Sequence, residues 1–341
     1  MRDSQKQTIA RYHSFLHTQA ISAALKAARE TGLVDVLRDG QRELDELAEQ
    51  CSCDSAAIAN LLRVLIAIGL VEHYGEFFAL SQAARLMIGP DTDMGAEVYR
   101  DLSAFMRSGE GTGSIDEYRR RISARQWTHT GAAVQAAEVL RIGPPEASES
   151  NTVEPEGSGS QRRRGLKVLE LGSGAGVWSA ALAYRDPTLT VTAVDDGLSL
   201  HHCRQTYDSI DLLSRLTTID DDYRTWDVPL GEFDLVVIPE ILQLESDADA
   251  VILLGRACDA LRVGGEIVIL ETLNEADGPR LPLATQAFEL AIAAQSGRQR
   301  TASQIQQLLR GAGFADGQWG WLTASPLGIG LILARKETQP E

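Results

Sequence analysis

A chain of 341 residues with a formal charge of −16 and an apolar fraction of 44% exceeds what one hydrophobic core usually supports, so two domains are expected. The acidic balance excludes broad attraction to nucleic-acid phosphates or an anionic membrane, since both need clustered Lys and Arg, and it favours a small-molecule partner. No run approaches the roughly 18 uninterrupted apolar residues of a membrane span, and MRDSQKQTIARYH has no apolar signal core, which makes the cytoplasm the expected location.

Ile21, Ala24, Leu25 and Ala28 mark one apolar helical face that Gly32 stops. A short helix follows around Leu44 to Gln50. Asp54 or Ser55 then caps a third, in which Ile58, Leu61, Leu62 and Leu65 repeat the spacing and Gly69 ends it. LVEHY and FFAL, joined at Gly75-Glu76, read as a hairpin. Three helices and a hairpin are the order of a winged helix, a module that often binds DNA. Residues 1–100, however, carry 10 Lys or Arg against 14 Asp or Glu, and the third helix offers only Arg63 as a base. A protein-protein role is therefore preferred for residues 1–90. Broad apolar faces and stretches such as AISAALKAA permit close helix approach, and a homodimer through this region is expected.

Residues 91–142 read as a helical connector, with Trp127 and His129 in its middle. GPPEASESNTVEPEGSGSQRRRG, residues 143–165, has almost no apolar residue and reads as a flexible linker or insertion, with Arg162 to Arg164 as its solvated end. From residue 166 to 341 strand and helix alternate: KVLEL, a helix from Val177, TVTAVD, a helix from about Ser199, LTTI, FDLVVI, a helix from about Asp247 and EIVILET. A final helix near Thr301 to Leu309 and the run GIGLILA complete the region. Near-continuous apolar strands imply a mostly parallel, doubly wound α/β sheet covered on both faces. Cys51, Cys53, Cys203 and Cys258 are too scattered for a disulfide framework, and Cys51-Ser-Cys53 lacks a second pair for zinc. They read as reduced thiols, with no metal site.

Gly172, Gly174 and Gly176 follow KVLEL directly and open a helix, where backbone N–H groups can approach a ligand. Asp195 ends the next strand about 20 residues on, where a carboxylate accepts hydrogen bonds from ribose hydroxyls. The dinucleotide pattern would need its third glycine at Val177. Glu170, just before the loop, suits an ammonium or sulfonium and would repel a pyrophosphate.

VLELGSGAG with AVD resembles the S-adenosylmethionine (SAM) loop of class I methyltransferases, and LRVGGEIVILE resembles their turn into the fifth strand. SGRQRTASQIQQLLRGAGF is similar to the C-terminal signature of small-molecule O-methyltransferases, the caffeic-acid, hydroxyindole and polyketide-tailoring type. The resemblance spans nearly the whole chain outside 143–165. It implies a Rossmann-like class I methyltransferase domain preceded by a helical, winged-helix-type dimerisation domain. It further implies SAM contacts at Glu170, Gly172, Gly174 and Gly176, at Asp195 for the ribose, and at Asp222 and Tyr223 for the adenine. The glycine of the family's G-D-F segment is here Asp221.

The family's catalytic histidine falls on Gln243 and its neighbouring aspartate on Leu244, while the bracing acid survives as Glu271. An amide is too weakly basic to take a proton at neutral pH. The expected chemistry is methylation of a hydroxyl on a small molecule, with Glu271, Glu240, Glu245 or a histidine such as His129 as the base, or with an acceptor that needs only positioning. In that reading Gln243 and Glu271 form a hydrogen-bonded pair facing the acceptor, in a pocket drawing on segments that include Phe105, Trp127, Phe288 and Ala291. A nitrogen, carbon or sulfur acceptor, a SAM-binding protein with altered chemistry, and a winged-helix regulator are the alternatives.

Overall fold

The first helix, α1 (Arg2–Glu30), buries Ala24 and Ala28 and leaves Ile9, Tyr12, Phe15 and Leu16 exposed along its N-terminal half. It belongs to a computed structural model that describes residues 2–88, 97–111, 114–144, 162–275, 281–294, 297–325 and 327–337. Gly32, in the left-handed region at φ 76°, turns the chain into α2 (Leu33–Arg38). β1 (Arg42–Glu43), α3 (Leu44–Gln50) and α4 (Ser55–Ala67) follow. Asp54 caps α4 by accepting the Ala57 N–H at 2.8 Å. Ile58, Leu62 and Leu65 of α4 are buried with Ala28, Leu33, Leu37 and Leu47 in one core. β2 (Val71–Tyr74) and β3 (Phe77–Leu80) form the expected hairpin about Gly75, and α5 (Gln82–Ile88) follows. β1 adds to the far side of β3 as an unexpected third strand, because two residues are too short to show a strand period. These elements fall in one unit, Met1–Arg100.

The second unit, Asp101–Glu341, begins with α6 (Leu102–Ser108), α7 (Ile115–Arg125) and α8 (Thr130–Val139). Most of the expected linker, residues 145–161, lies outside the described residues. Its far end corrects the expectation of a solvated arginine run. Arg162 pairs with Glu138 at 3.3 Å, and Arg163 pairs with Glu266. The backbone of Arg163 also bridges to Arg141 and Gly143, at 2.9 Å each way. Half-buried carboxylates along the return path recruit these guanidinium groups, which sequence polarity alone does not reveal.

β4 (Lys167–Leu171), α9 (Val177–Arg185), β5 (Thr190–Asp195), α10 (Gly197–Asp208), β6 (Leu216–Asp220), β7 (Phe233–Pro239), α11 (Asp247–Ala260) and β8 (Leu261–Thr272) alternate as expected. α12 (Leu281–Ala293), α13 (Ala302–Gly311), β9 (Gln318–Trp321) and β10 (Ile329–Arg335) complete the unit. Neither α12 nor β9 was legible: every residue of β9 is exposed, so burial imposed no apolar pattern on it. The sheet order is β6-β5-β4-β7-β8-β10-β9, parallel from β6 to β8, with β10 antiparallel to both β8 and β9. One core gathers α11, α13 and the inward side of α7 on one face, and a second gathers α8, α9 and α10 on the other. Coverage on both faces explains why strands such as KVLEL do not alternate.

The chain runs from β4 to β5 on one side and later returns to β7 on the other. Strand order thus reverses between β4 and β7, and the loops after these two strands flank a crevice at their carboxyl ends, the usual ligand position in such sheets. Among the described residues no helix is long and apolar enough to cross a membrane, and no group of His, Cys, Asp or Glu is placed to hold a metal.

Candidate active site

The loop after β4 is built from left-handed glycines: Gly172, Gly174 and Gly176 have φ of 68°, 56° and 67°. Two of them also serve packing. A Cβ on Gly172 would stand 2.4 Å from Ile241 Cδ1, and one on Gly176 would stand 2.4 Å from Cys203 Sγ. Gly174 instead lies beneath the Gln126 amide, and its N–H donates to Asp195 Oδ2 at 2.8 Å. Asp195 Oδ1 accepts the Asp196 N–H and the Arg119 guanidinium. Burial raises the Asp195 carboxyl, and Arg119 draws it back.

Glu170 is wholly buried and accepts the Ser179 N–H and Oγ–H, with Tyr207 Oη donating to the same Ser179 oxygen. Removal from water pushes its carboxyl up to about 8 against these donors.

α7 supplies the opposite wall through two neighbouring stripes. Arg119, Ile122, Ser123 and Gln126, at i, i+3, i+4 and i+7, line a narrow cleft of about 20 Å³ over Gly172, Gly174, Asp195 and Glu240. Gln126 Oε1 accepts the Ala175 N–H at 2.9 Å, which ties this wall to the glycine loop. Tyr118, Arg121, Ile122 and Arg125, one residue out of phase, line a second cavity of about 200 Å³. α12 faces it with Pro282, Thr285, Gln286 and Glu289, again at i, i+3, i+4 and i+7, and His129 and Glu240 close it. Ile122 and Glu240 are common to both cavities.

Glu240 follows β7 directly and holds φ of 55°, a left-handed conformation unusual for a side-chain-bearing residue. Its N–H donates to the Leu270 carbonyl at 2.7 Å, and its own carbonyl accepts Gln243 Nε2 at 3.1 Å. Its carboxylate Oε2 lies 3.8 Å from His129 Nε2. Burial raises the Glu240 carboxyl, and the imidazole opposes that rise. His129 stacks on Trp178, with ring centroids 5.7 Å apart.

Gln243 sits one helical turn beyond Glu240, and its backbone N–H donates to Glu271 Oε1 at 3.2 Å. The expected pairing of Gln243 with Glu271 is therefore made by the main chain, while the side-chain amide turns back to Glu240. Glu271 is pushed up to about 8, first by burial and then by the Glu240 charge.

Gly172, Gly174, Asp195 and His129 thus line the cavities among the described residues. Glu170, Gly176, Gln243 and Glu271 stand behind that lining. Asp222 is exposed and paired with Arg224 at 2.9 Å. Tyr223 is buried beneath Arg119, 4.9 Å from its ring centre, and donates to Glu245 Oε1 at 3.0 Å. Phe105, Trp127, Phe288 and Ala291 are not among the residues lining these two cavities. Phe105 and Phe288 meet each other edge to face, while Trp127 is 43% exposed and Ala291 faces solvent. The inward stripes of α7 and α12 carry Arg121, Arg125 and Glu289, and such polar residues read as a solvent face. Arg119 and Gln126 were missed for the same reason.

A wider cleft, bordered by Arg141, Arg163, Arg262 and Arg335, lies at the amino ends of the parallel strands, and its arginines Arg163, Arg262 and Arg335 are paired with Glu266 or Asp234. It is remote from the reversal of strand order.

Residues 163–315 match the model of the O-methyltransferase domain, and residues 14–89 match that of the O-methyltransferase dimerisation domain. The chain is 24% identical over 320 residues to the demethylspheroidene O-methyltransferase of Cereibacter sphaeroides, covering 89% of this chain and 79% of that protein. It is 26% identical over 312 residues to the aclacinomycin 10-hydroxylase RdmB of Streptomyces purpurascens, covering 86% of this chain and 80% of that one. Human N-acetylserotonin methyltransferase, solved in complex with SAM, superimposes with a TM-score of 0.71 at 18% identity over 97% of this chain and 98% of that one. A helical segment matched to the dimerisation domain ahead of a sheet with this strand order, itself matched to the O-methyltransferase domain, means that the chain belongs to the O-methyltransferase family of class I methyltransferase enzymes.

Proposed function

We propose that this protein transfers a methyl group from SAM to a hydroxyl of a small molecule. The observation that carries the reading is the pair of adjoining cavities at the carboxyl ends of β4 and β7, one on the glycine loop and one beside it, sharing Ile122 and Glu240. A donor in the first and an acceptor in the second would meet at that shared wall.

The first cleft suits SAM chemically. Glu240 is the carboxylate it offers a cationic ligand, the charge of Asp195 being met by Arg119, and Ser123 Oγ is buried there without a hydrogen-bond partner. Bound SAM supplies a methyl group made electrophilic by its sulfonium. In this reading Gly172 and Gly174 let the ligand approach the loop, Asp195 takes the ribose hydroxyls, and Gly176 and Glu170 hold the start of α9 in place. Asp222 and Tyr223 lie at the adenine end, where Tyr223 carries Arg119. Gln243 and Glu271 shape the turn after β7 and position Glu240. The second cavity, with Arg121, Thr285, Gln286 and Glu289 on its walls, suits a polar acceptor.

Calorimetric titration tests the donor: SAM is expected to bind and NAD is not, and the reverse overturns the reading. Asp195→Ala is expected to weaken SAM binding at least about tenfold, since hydrogen bonds to a charged group contribute about 1.5 to 3 kcal/mol each. The hydroxylase named among the relatives, together with Gln243, favours a second reading in which SAM binds but the product is not methylated. Mass analysis of products from SAM with a labelled methyl group separates the two.

A further inference from the structure

Glu240 stands where the two cavities meet, and the fold itself does not call for a carboxylate there. A left-handed backbone at φ 55° is easier for glycine or asparagine, yet here it carries a carboxylate only 3% exposed. Oε2 of that carboxylate has no hydrogen-bond partner, and neither has Nδ1 of His129, which is equally buried. The carboxylate oxygen and His129 Nε2 face each other at 3.8 Å, too far for a hydrogen bond between them. An oxygen at about 2.8 Å from both atoms fits that spacing. Stacking on Trp178 fixes the imidazole, and burial at the end of β7 confines the carboxylate.

We propose that Glu240 and His129 are the proton-accepting pair of methyl transfer, holding the acceptor hydroxyl between carboxylate and imidazole in place of the imidazole that position 243 lacks. This rests on the methyl-transfer reading above. The acceptor O–H bond breaks with its electron pair left on oxygen, and the proton passes to Glu240 Oε2. The oxygen forms the new O–C bond as the C–S pair departs with sulfur. Glu240 is the catalytic residue, and His129 positions the hydroxyl and supports the carboxylate. Glu271, from β8, is committed to the Gln243 backbone and lines neither cavity. Tyr118, Arg121 and Arg125 of α7 and Glu289 of α12 face the pair from the second cavity, Arg119 and Asp195 from the first, and Glu271 lies behind Glu240.

Two measurements test the pair, on full-length Glu240→Gln and His129→Gln proteins whose melting temperature and SAM affinity are first compared with wild type. In histidine-labelled protein saturated with SAM, the imidazole nitrogen signals of His129, assigned by their loss in His129→Gln, are expected to shift in Glu240→Gln. Unchanged signals overturn the pairing without reference to activity. The second measurement uses two phenols of similar size: para-methoxyphenol, which must lose its proton, and para-nitrophenol, which is already ionised near neutral pH. Glu240→Gln is expected to lose at least about 100-fold in kcat on the first, the usual scale of a lost general base, and to retain para-nitrophenol turnover within a few fold. His129→Gln shows the same contrast more weakly. An equal loss on both phenols, or on neither, overturns the proposal. A wild type that binds SAM but methylates neither phenol overturns it as well, whereas failure to bind SAM removes the donor reading itself.

Discussion

Buried carboxylates are the feature of this site with the most direct physical consequence. Glu170 and Glu271 are each raised to about 8 from an ordinary 4.5, so the folded chain keeps protons that the unfolded chain has released. Their contribution to stability is complete below the ordinary value and is lost as pH rises through about 8. Asp186 and Asp247 are shifted the other way, Asp186 by donors from Thr188 and Gly165 and Asp247 by Arg300 and Arg298, so their contribution is lost as pH falls below their ordinary value of 3.8. Thermal melting is therefore expected to peak near about pH 5 and to decline toward about pH 8, with Glu271→Gln flattening the decline. A melting temperature that climbs steadily over that interval in both proteins contradicts the assignment. Arg119 is the counterpart: Arg119→Met leaves Asp195 buried with its countercharge gone and should cost about 3 kcal/mol in chemical denaturation. The carboxylates at 170, 195 and 271 were legible in the sequence by position. Arg119 was not, because its partner lies 76 residues away and only packing of α7 on the loop brings the two together.

At the scale of the element, the glycine loop and α7 divide the work. The loop's residue types announced its conformation, since positive φ after a strand needs glycine. What the spacing did not reveal is that Gly176 is also required by the α10 side chain Cys203. Gly176→Ala is expected to destabilise by at least about 2 kcal/mol, from strained φ and overpacking together. Adding Cys203→Ala should recover part of that loss, and a double mutant no more stable than Gly176→Ala alone argues that backbone strain is the whole effect. α7 was legible as a helix but not as the wall of two cavities. Its stripes are offset by one residue and both include arginine, so amphipathicity points away from the function. α12 carries a single charge, Glu289, and places it on the stripe that faces the second cavity.

For the molecule as a whole, the exposed row Ile9, Tyr12, Phe15 and Leu16 on α1 begins just before the segment matched to the dimerisation domain and runs into it. A homodimer through this unit would cover that row, and Phe15→Asp is expected to shift sedimentation at micromolar concentration from dimer toward monomer; a wild type already monomeric there rules the assembly out. From residues alone came the order of elements apart from β1, α12 and β9, the doubly wound sheet implied by alternating strand and helix, and the glycine loop with Asp195 beyond it. These are local or periodic signals, written into residues that neighbour each other along the chain or share one face of one element. Only the tertiary structure decided that Gln243 turns away from both cavities, and that Glu240 and His129, 111 residues apart in numbering, face each other across 3.8 Å. Their approach depends on the turn between α7 and α8 packing on α9, where His129 stacks on Trp178. That packing is set by buried surface on several elements together, which no spacing within one segment encodes.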